Sequence, residues 1–342
     1  MTTIRNILIV RLSSIGDIIL TTPFLRSVRN RFPNARVFFL VKKEFEELLS
    51  SSPYIDELIT FDKHKGLKEL IRIKQYLKTR HIDIYFDIHK NWRSLYLRSG
   101  IKAGVTGTYP KQIINRSLLI WLRINLYRRI KPVYLRYFEA GKKYGLQYDR
   151  KGTEVFIPDK AKELTKELLN RYGYVFKQPL VIICPGAAHL NKQWLPERFA
   201  ETADILIKEK NAFVIIHGGE KDKQVCDKIA GLSNNKILNL SGTLDLTGSA
   251  ALLHFATLVI ANDSGLLHLA QSQHVPVVGI YGPTTKHLGY FPITGKSTVI
   301  EANVSCRPCT HNGLEYCPKK HFRCMKNIDT KFVTEASLKY LE

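Results

Sequence analysis

The sequence predicts an α/β protein built from two doubly wound parallel sheets, and three observations lead there. Short apolar runs alternate with stretches of helical period along the whole chain, the punctuation of repeated βαβ units. The 342 residues exceed one ordinary core and suit two domains of about 150 residues each. A polar stretch near 150–178, opening with "DRKGTEVFIPDK" and closing with "FKQP", separates two such series. We therefore expect an N-terminal Rossmann-like domain over 1–165 and a C-terminal one over 166–342, the latter with a cysteine-containing tail at 306–324.

In the first half the apolar runs predict strands near 6–10, 37–41, 57–61 and 82–88. The clearest helical pattern between them is "GLKELIRIKQYLKTR" (66–80). In the second half strands are expected near 180–184, 213–217, 237–240, 258–261 and 276–281, alternating with helices near 196–210, 221–231, 246–256 and 264–273. Ligands of such sheets bind beyond the carboxyl ends of the strands, and the cleft between two facing domains is the expected site. No G-x-G-x-x-G occurs, which disfavours a standard dinucleotide fold. "GYFPITGKS" (289–297) has its glycines one residue too far apart for a P-loop and follows no expected strand. No Asp-x-Asp is present either, so no metal–diphosphate site is evident.

Net charge is +22, and residues 1–150 hold +17 of it; from Ile88 to Phe138 there are eleven basic residues and no acidic one. Aromatic and apolar residues interleave with these cations in "LLIWLRINLYRRIKPVYLRYF". Such a block implies an anionic partner: nucleic acid, a membrane surface or a phosphorylated lipid. No run of about 18 apolar residues exists, so no transmembrane helix is implied. The N-terminus has no signal-peptide pattern, and the chain reads as cytosolic.

Four segments carry candidate chemistry, each following an expected strand. In "RLSSIGDIILTTP" (11–23) Gly16 allows a tight turn and Asp17 sits at the strand's carboxyl end; Asp17 as a helix N-cap is the structural alternative. In "PGAAHLNKQWLPERF" (185–199) a Pro-Gly turn with Gly186, Ala187 and Ala188 precedes Lys192. An exposed loop lysine ahead of a helix starting near Pro196 suits a phosphate, while Trp194 suits packing. In "HGGEKDKQ" (217–224) two glycines let a ligand approach the backbone, and Glu220 suits a ribose or base, or simply a first helical turn. In "ANDSGLLHLAQ" (261–271) a helix starting at Ser264-Gly265 offers free N–H groups to a diphosphate. There Asp263 caps or binds a sugar hydroxyl, and His268 lies one turn along.

These segments, taken in order with "DIHKNWRS" (87–94), "NLSGTLDL" (239–246), "VPVVGIYGPT" (275–284) and the cysteine tail, resemble the ADP-heptose:lipopolysaccharide heptosyltransferase family, glycosyltransferase family 9. The resemblance spans about residues 4–328. It implies a two-domain GT-B fold and an inverting, metal-independent transfer of heptose to a lipopolysaccharide inner-core acceptor. It places Asp17 at the catalytic base, Lys192 at the donor diphosphate, Glu220 at the adenosine, Asp263 at the donor sugar, and Ser264, Gly265 and His268 around the phosphates. The loop Gly186, Ala187 and Ala188 would join the donor site, although some relatives carry hydroxyls at the two alanines, and Gln193 replaces a common arginine. Asn91, Arg93, Arg123, Arg128 and Arg129 are the expected acceptor residues. The implied partners are an ADP-sugar, a phosphorylated lipid A–core acceptor and an anionic membrane surface, not nucleic acid, with the enzyme at the cytoplasmic side of the inner membrane. A relative using another sugar or acceptor, a basic nucleic-acid-binding protein and a nonenzymatic sugar-nucleotide sensor are the rival readings.

Cys184 and Cys226 read as buried thiols. Cys306, Cys309, Cys317 and Cys324 begin with CxxC spacing. A structural four-thiolate zinc knuckle, free thiols and disulfides all remain open for them.

Overall fold

The computed structural model describes residues 4–292 and 295–342; two residues of the rejected P-loop stretch, 293 and 294, lie outside it. The chain forms two compact units. The first comprises the residues up to Lys111 together with Val133–Phe156, and the second comprises Gln112–Pro132 and Ile157–Glu342. Contacts thus divide the chain at 156/157, where composition suggested 165/166, and they group the 112–132 excursion with the second unit.

In the first unit, strand β1 (Asn6–Val10) leads to helices α1 (Ile15–Ile19) and α2 (Thr22–Arg31), β2 (Arg36–Lys42), β3 (Glu57–Phe61), α3 (Gly66–Lys78), β4 (Ile84–Asp87), α4 (Trp92–Arg98) and β5 (Val105–Thr108). After α5 (Ile113–Ser117) and a π-helical turn at Leu118–Leu122, both in the second unit, α6 (Val133–Gly141) returns to the first. Its sheet has the order β3-β2-β1-β4-β5 and is parallel throughout. The central strands β1, β2 and β4 are buried along nearly their whole length, as in a parallel sheet covered on both faces. One face packs Leu8, Val10, Phe38 and Leu40 against Leu70, Ile73 and Leu77 of α3. Buried Arg26 of α2 bonds Asp149 through two contacts of 2.6 and 2.7 Å, and it also bonds Glu154 and the Gly152 carbonyl. That charge cluster fastens the segment after α6 to the sheet.

The second unit continues with α7 (Asp159–Arg171), β6 (Leu180–Cys184), α8 (Pro196–Lys210), β7 (Phe213–Ile216), α9 (Lys223–Leu232), β8 (Leu238–Asn239), α10 (Leu246–His254), β9 (Leu258–Asn262), α11 (Gly265–Ser272), β10 (Val277–Tyr281), β11 (Ser297–Glu301), α12 (Arg323–Lys326) and α13 (Thr330–Leu338). Its sheet order is β11-β10-β9-β6-β7-β8, again all parallel. Trp194, Phe199, Met325 and Val333 fill the core beside β6, β7 and β9. Trp194 is 1 % exposed and donates its indole N–H to the Ile328 carbonyl at 3.1 Å, which is the packing role its sequence context suggested.

Each sheet has one topological switch point. The connection after β1 leads to β2 and that after β4 to β5, on opposite sides of the β1/β4 pair; β6 and β9 are related in the same way. Connections that diverge there leave a crevice at the strands' carboxyl ends. No helix among the described residues is long and apolar enough to cross a membrane.

Candidate active site

At the β1/β4 switch point the chain leaves β1 through Arg11, buried despite its charge. Arg11 is fixed from several sides: Nε donates to the Ser13 carbonyl at 2.9 Å and Nη1 to the Ile88 carbonyl at 2.7 Å. Its Nη2 pairs with Asp17 Oδ1 at 2.6 Å. The Tyr137 hydroxyl donates to the same Asp17 oxygen at 3.2 Å. The N-cap of α1 is Ser14, not Asp17. Asp17 is the third helical residue and accepts from the Ser14 hydroxyl at 3.1 Å and, more weakly, its N–H at 3.4 Å, the reciprocal half of a capping box. Burial pushes this carboxyl up, but the charge of Arg11 and the hydrogen bonds from Arg11 and Ser14 outweigh it and hold Asp17 below its ordinary value. The side chain remains 14 % exposed, so an ionised carboxylate reaches solvent at the crevice.

The loop after β4 supplies a residue the sequence reading passed over. Buried Asp87 accepts from the N–H groups of His89 (3.2 Å) and Lys90 (2.6 Å) and from the Ser94 hydroxyl (3.0 Å). This sets the loop that carries His89. Burial and then the positive charges of Arg11 and Lys111 push His89 down to about 3, so its imidazole is neutral across the physiological range. Its buried Nδ1 has no hydrogen-bond partner among the described residues. Arg11, Tyr137 and His89 were hidden in the sequence because their interest lies in contacts across long chain separations. The one local signal was an arginine directly ending a buried apolar run.

At the β6/β9 switch point the loops after the two strands are tied together. Asn262 Oδ1 accepts from the Trp194 N–H at 3.1 Å, and its Nδ2 donates to the Pro185 carbonyl at 2.6 Å. Lys192 Nζ lies 2.7 Å from Asp263 Oδ2, which also accepts from the Thr284 hydroxyl at 2.8 Å. The two side chains of this ion pair are 12 % and 7 % exposed. Lys192 is therefore not the exposed loop lysine the sequence suggested: the turn Leu190–Lys192 folds it inward onto the acid that follows β9. Ser264 is the N-cap of α11, as its position implied, and its buried hydroxyl has no hydrogen-bond partner among the described residues. His268 is buried one turn further along.

The glycines are explained by Asp222. Its carboxylate accepts from the Gly219 N–H at 2.9 Å and lies so close to Gly186 that a Cβ there would meet its Cγ at 2.2 Å. The loops after β6 and β7 thus pack through a carboxylate that only glycine admits. Ala187 and Ala188 follow with increasing exposure. Glu220 is exposed on a short turn, its carboxylate over Gly242, whose φ of +71° is the left-handed conformation glycine favours.

The expected acceptor residues are divided between the units. Asn91 caps α4, accepting from the Ser94 N–H at 3.0 Å, and the Arg93 guanidinium lies 4.6 Å from the Trp92 ring centre; both are in the first unit. Arg123, Arg128 and Arg129 belong to the 112–132 excursion of the second, where Arg123 bonds the Pro308 carbonyl. In the tail, Cys306, Cys309, Cys317 and Cys324 are all free thiols. Among the described residues no three His, Cys, Asp or Glu side chains group as metal ligands. Cys324 is drawn into the core beside Met325, Cys306 Sγ lies 3.8 Å from His321 Nε2, and Cys309 is held by its N–H on the Pro283 carbonyl at 3.2 Å. Burial, then the nearby Cys306 and Cys317, push the Cys309 thiol up, and burial, then Cys309 with Cys306 and Cys317, push Cys324 up to about 11, so the four tail cysteines are neighbours.

Residues 70–319 match the family model for glycosyltransferase family 9 (heptosyltransferase). The lipopolysaccharide core heptosyltransferase OpsX of Haemophilus influenzae is 27% identical over 283 residues, 81% of this chain and 79% of that protein. Among solved structures, a glycosyl transferase family 9 protein from Veillonella parvula has a TM-score of 0.84 at 24% identity, covering 98% of this chain and 97% of its own. The E. coli ADP-heptose lps heptosyltransferase II has a TM-score of 0.73 at 20% identity, covering 98% of both. The two parallel-sheet units are the GT-B fold expected from the sequence, and the chain belongs to glycosyltransferase family 9.

Proposed function

We propose that this glycosyltransferase moves heptose from ADP-heptose to a lipopolysaccharide inner-core acceptor with inversion at the anomeric carbon. The acceptor oxygen forms a bond to that carbon as the bond from carbon to the diphosphate oxygen breaks; the acceptor proton passes to Asp17 and ADP leaves. The observation that supports this most is the ionised, partly accessible Asp17 at one switch point in a chain whose other switch point carries a lysine beside a helix N-terminus. Lys192 would leave Asp263 for the leaving diphosphate, with the N–H groups of α11, the Ser264 hydroxyl and His268 around it. Charge developing on ADP is then met by groups already in place, the effect that commonly dominates such barriers. Asp263 and Thr284 would address the sugar, Glu220 the adenosine, and Gly186, Gly265, Ala187 and Ala188 the backbone approach to the phosphates.

The same reading puts the enzyme at the cytoplasmic face of the inner membrane. A phosphorylated lipid A–core acceptor would meet Asn91, Arg93, Arg123, Arg128 and Arg129. Support comes from the acid-free basic stretch, since each cation near an anionic surface contributes roughly 1 kcal/mol. The test is a donor panel, ADP-heptose with other ADP- and UDP-sugars, on lipid A–core acceptors read by mass spectrometry. Addition of one heptose is expected. Turnover only with another donor would overturn the sugar, and a melting shift with oligonucleotide but not ADP would overturn the enzyme reading.

A further inference from the structure

We propose that residues 113–130 form a wedge that inserts apolar side chains into an anionic bilayer, beyond attraction by charge alone; this rests on the peripheral-membrane part of the proposed function. The large apolar side chains of this excursion point to solvent: Trp121 is 81% exposed and Ile114 73%, with Leu122, Ile124 and Leu126 also exposed. Three of its polar side chains tie it to the rest of the second unit. Arg116 bonds His311 at 3.1 Å, Asn125 bonds His287 at 3.1 Å and Arg123 bonds the Pro308 carbonyl, while Leu119 is buried. The segment is thus tied down through Arg116, Arg123 and Asn125 and presents a contiguous set of apolar side chains beside the exposed Arg128 and Arg129.

Charge selects the occupant. Arg116, Arg123, Arg128 and Arg129 lie within the segment, and no acid occurs between Lys111 and Pro132. A second copy of the chain would set this positive patch against itself, which like-charge juxtaposition opposes. An anionic bilayer accepts both features at once. Indole and aliphatic side chains settle at the headgroup–acyl boundary, and arginines keep their charge among the phosphates while their stems lie along apolar surface.

The test is co-sedimentation of the full chain with vesicles of equal phosphatidylglycerol and phosphatidylcholine at about 0.1 M and about 0.5 M salt, where charge attraction between exposed groups is increasingly screened. Wild type is expected to stay bound at the higher salt. Ile114→Ser/Trp121→Ser/Leu122→Ser is expected to bind about tenfold or more weakly there, with its ADP-induced melting shift and its turnover on a deacylated soluble acceptor unchanged. Trp121 fluorescence should be quenched by brominated acyl chains, a component missing from Trp121→Phe. Equal salt-resistant binding by the triple variant, or complete loss of wild-type binding at the higher salt, would overturn insertion. A dimer dispersed by the triple variant without effect on vesicle binding would also overturn it. Absence of turnover by wild type on the soluble acceptor is a separate result, against the heptosyltransferase reading.

Discussion

Arg11 and Lys192 each hold a carboxylate at a switch point, Asp17 in the first unit and Asp263 in the second, and the difference between the two cations tells the units' tasks apart. Arg11 is locked: its planar guanidinium is spread over Asp17 and the carbonyls of Ser13 and Ile88, and arginine keeps its proton at any working pH. It sets the electrostatic state of Asp17 and is not available to move. Lys192 is a point charge on a flexible stem, contacting Asp263 through one nitrogen. Such a cation can exchange a carboxylate for a diphosphate without rebuilding its surroundings. A fixed cation suits a carboxylate that must stay ionised for proton transfer, and a transferable one suits a site that receives and releases an anion.

The largest effect that would break this comparison lies at Lys192. Lys192→Ala is expected to lower kcat by about 10²–10³, the size of losing one charge-stabilising group. It should also destabilise the protein by about 3–5 kcal/mol, because Asp263 is left buried without its partner; the exposed-lysine reading had implied no such loss. Lys192→Met combined with Asp263→Asn should recover most of the stability and none of the activity, measured by melting and turnover on the same preparations. If Lys192→Ala alone melts like wild type, the ion pair contributes nothing and the contrast with Arg11 fails.

Next in size is the pH dependence. With its folded value depressed, Asp17 contributes stability above the ordinary carboxylate pKa of about 4, and that contribution fades as pH falls through the lower folded value. Asp17 should therefore produce no acid limb in kcat near neutrality. Arg11→Met leaves the hydrogen bonds from Ser14 and Tyr137 to oppose burial, so the Asp17 value rises and the acid limb moves to higher pH. A profile that does not move would remove Arg11 as the group that keeps Asp17 ionised. The smallest effect is at Ser264. Its buried hydroxyl, without a hydrogen-bond partner among the described residues, costs little to delete, so Ser264→Ala should melt near wild type, while ADP binding weakens by about 1 kcal/mol, the typical net value of one hydrogen bond. Unchanged ADP affinity by calorimetry would take this hydroxyl out of the diphosphate site.

Much of the fold was legible because strands buried on both faces are written as continuous apolar runs; the strands at 6–10, 57–61 and 180–184 have those bounds in the structure. The strands that escaped, β5 and β11, lie at sheet edges, where "VTGT" and "STVIE" carry no such run. Helix α7 was hidden in the polar stretch read as a boundary, because most of its surface faces water. In the candidate site, Asp17, Lys192, Asp263 and Ser264 were visible as polar residues directly after strands. Arg11, Tyr137 and Thr284 were not, since each gains its role from a partner distant in sequence: Tyr137 meets Asp17 across 120 residues. The cysteine spacing carried only part of the tail's arrangement. CxxC proximity is local and visible in the sequence, whereas the approach of Cys317 and Cys324 to that pair is made by the fold.

The measurement that bears most directly on the division of labour is the pair Asp17→Asn and Asp17→Ala, compared for kcat, ADP binding and melting temperature. Asparagine keeps the shape and can still accept from the Ser14 hydroxyl, but it cannot take a proton. As catalytic base, Asp17 predicts that Asp17→Asn lowers kcat by about 10²–10⁴, the usual contribution of a positioned base, with ADP affinity nearly unchanged and a lower melting temperature because buried Arg11 loses its counter-ion. If Asp17 serves only the capping box of α1, Asp17→Asn will turn over near the native rate while Asp17→Ala loses stability, and that result would contradict the assignment.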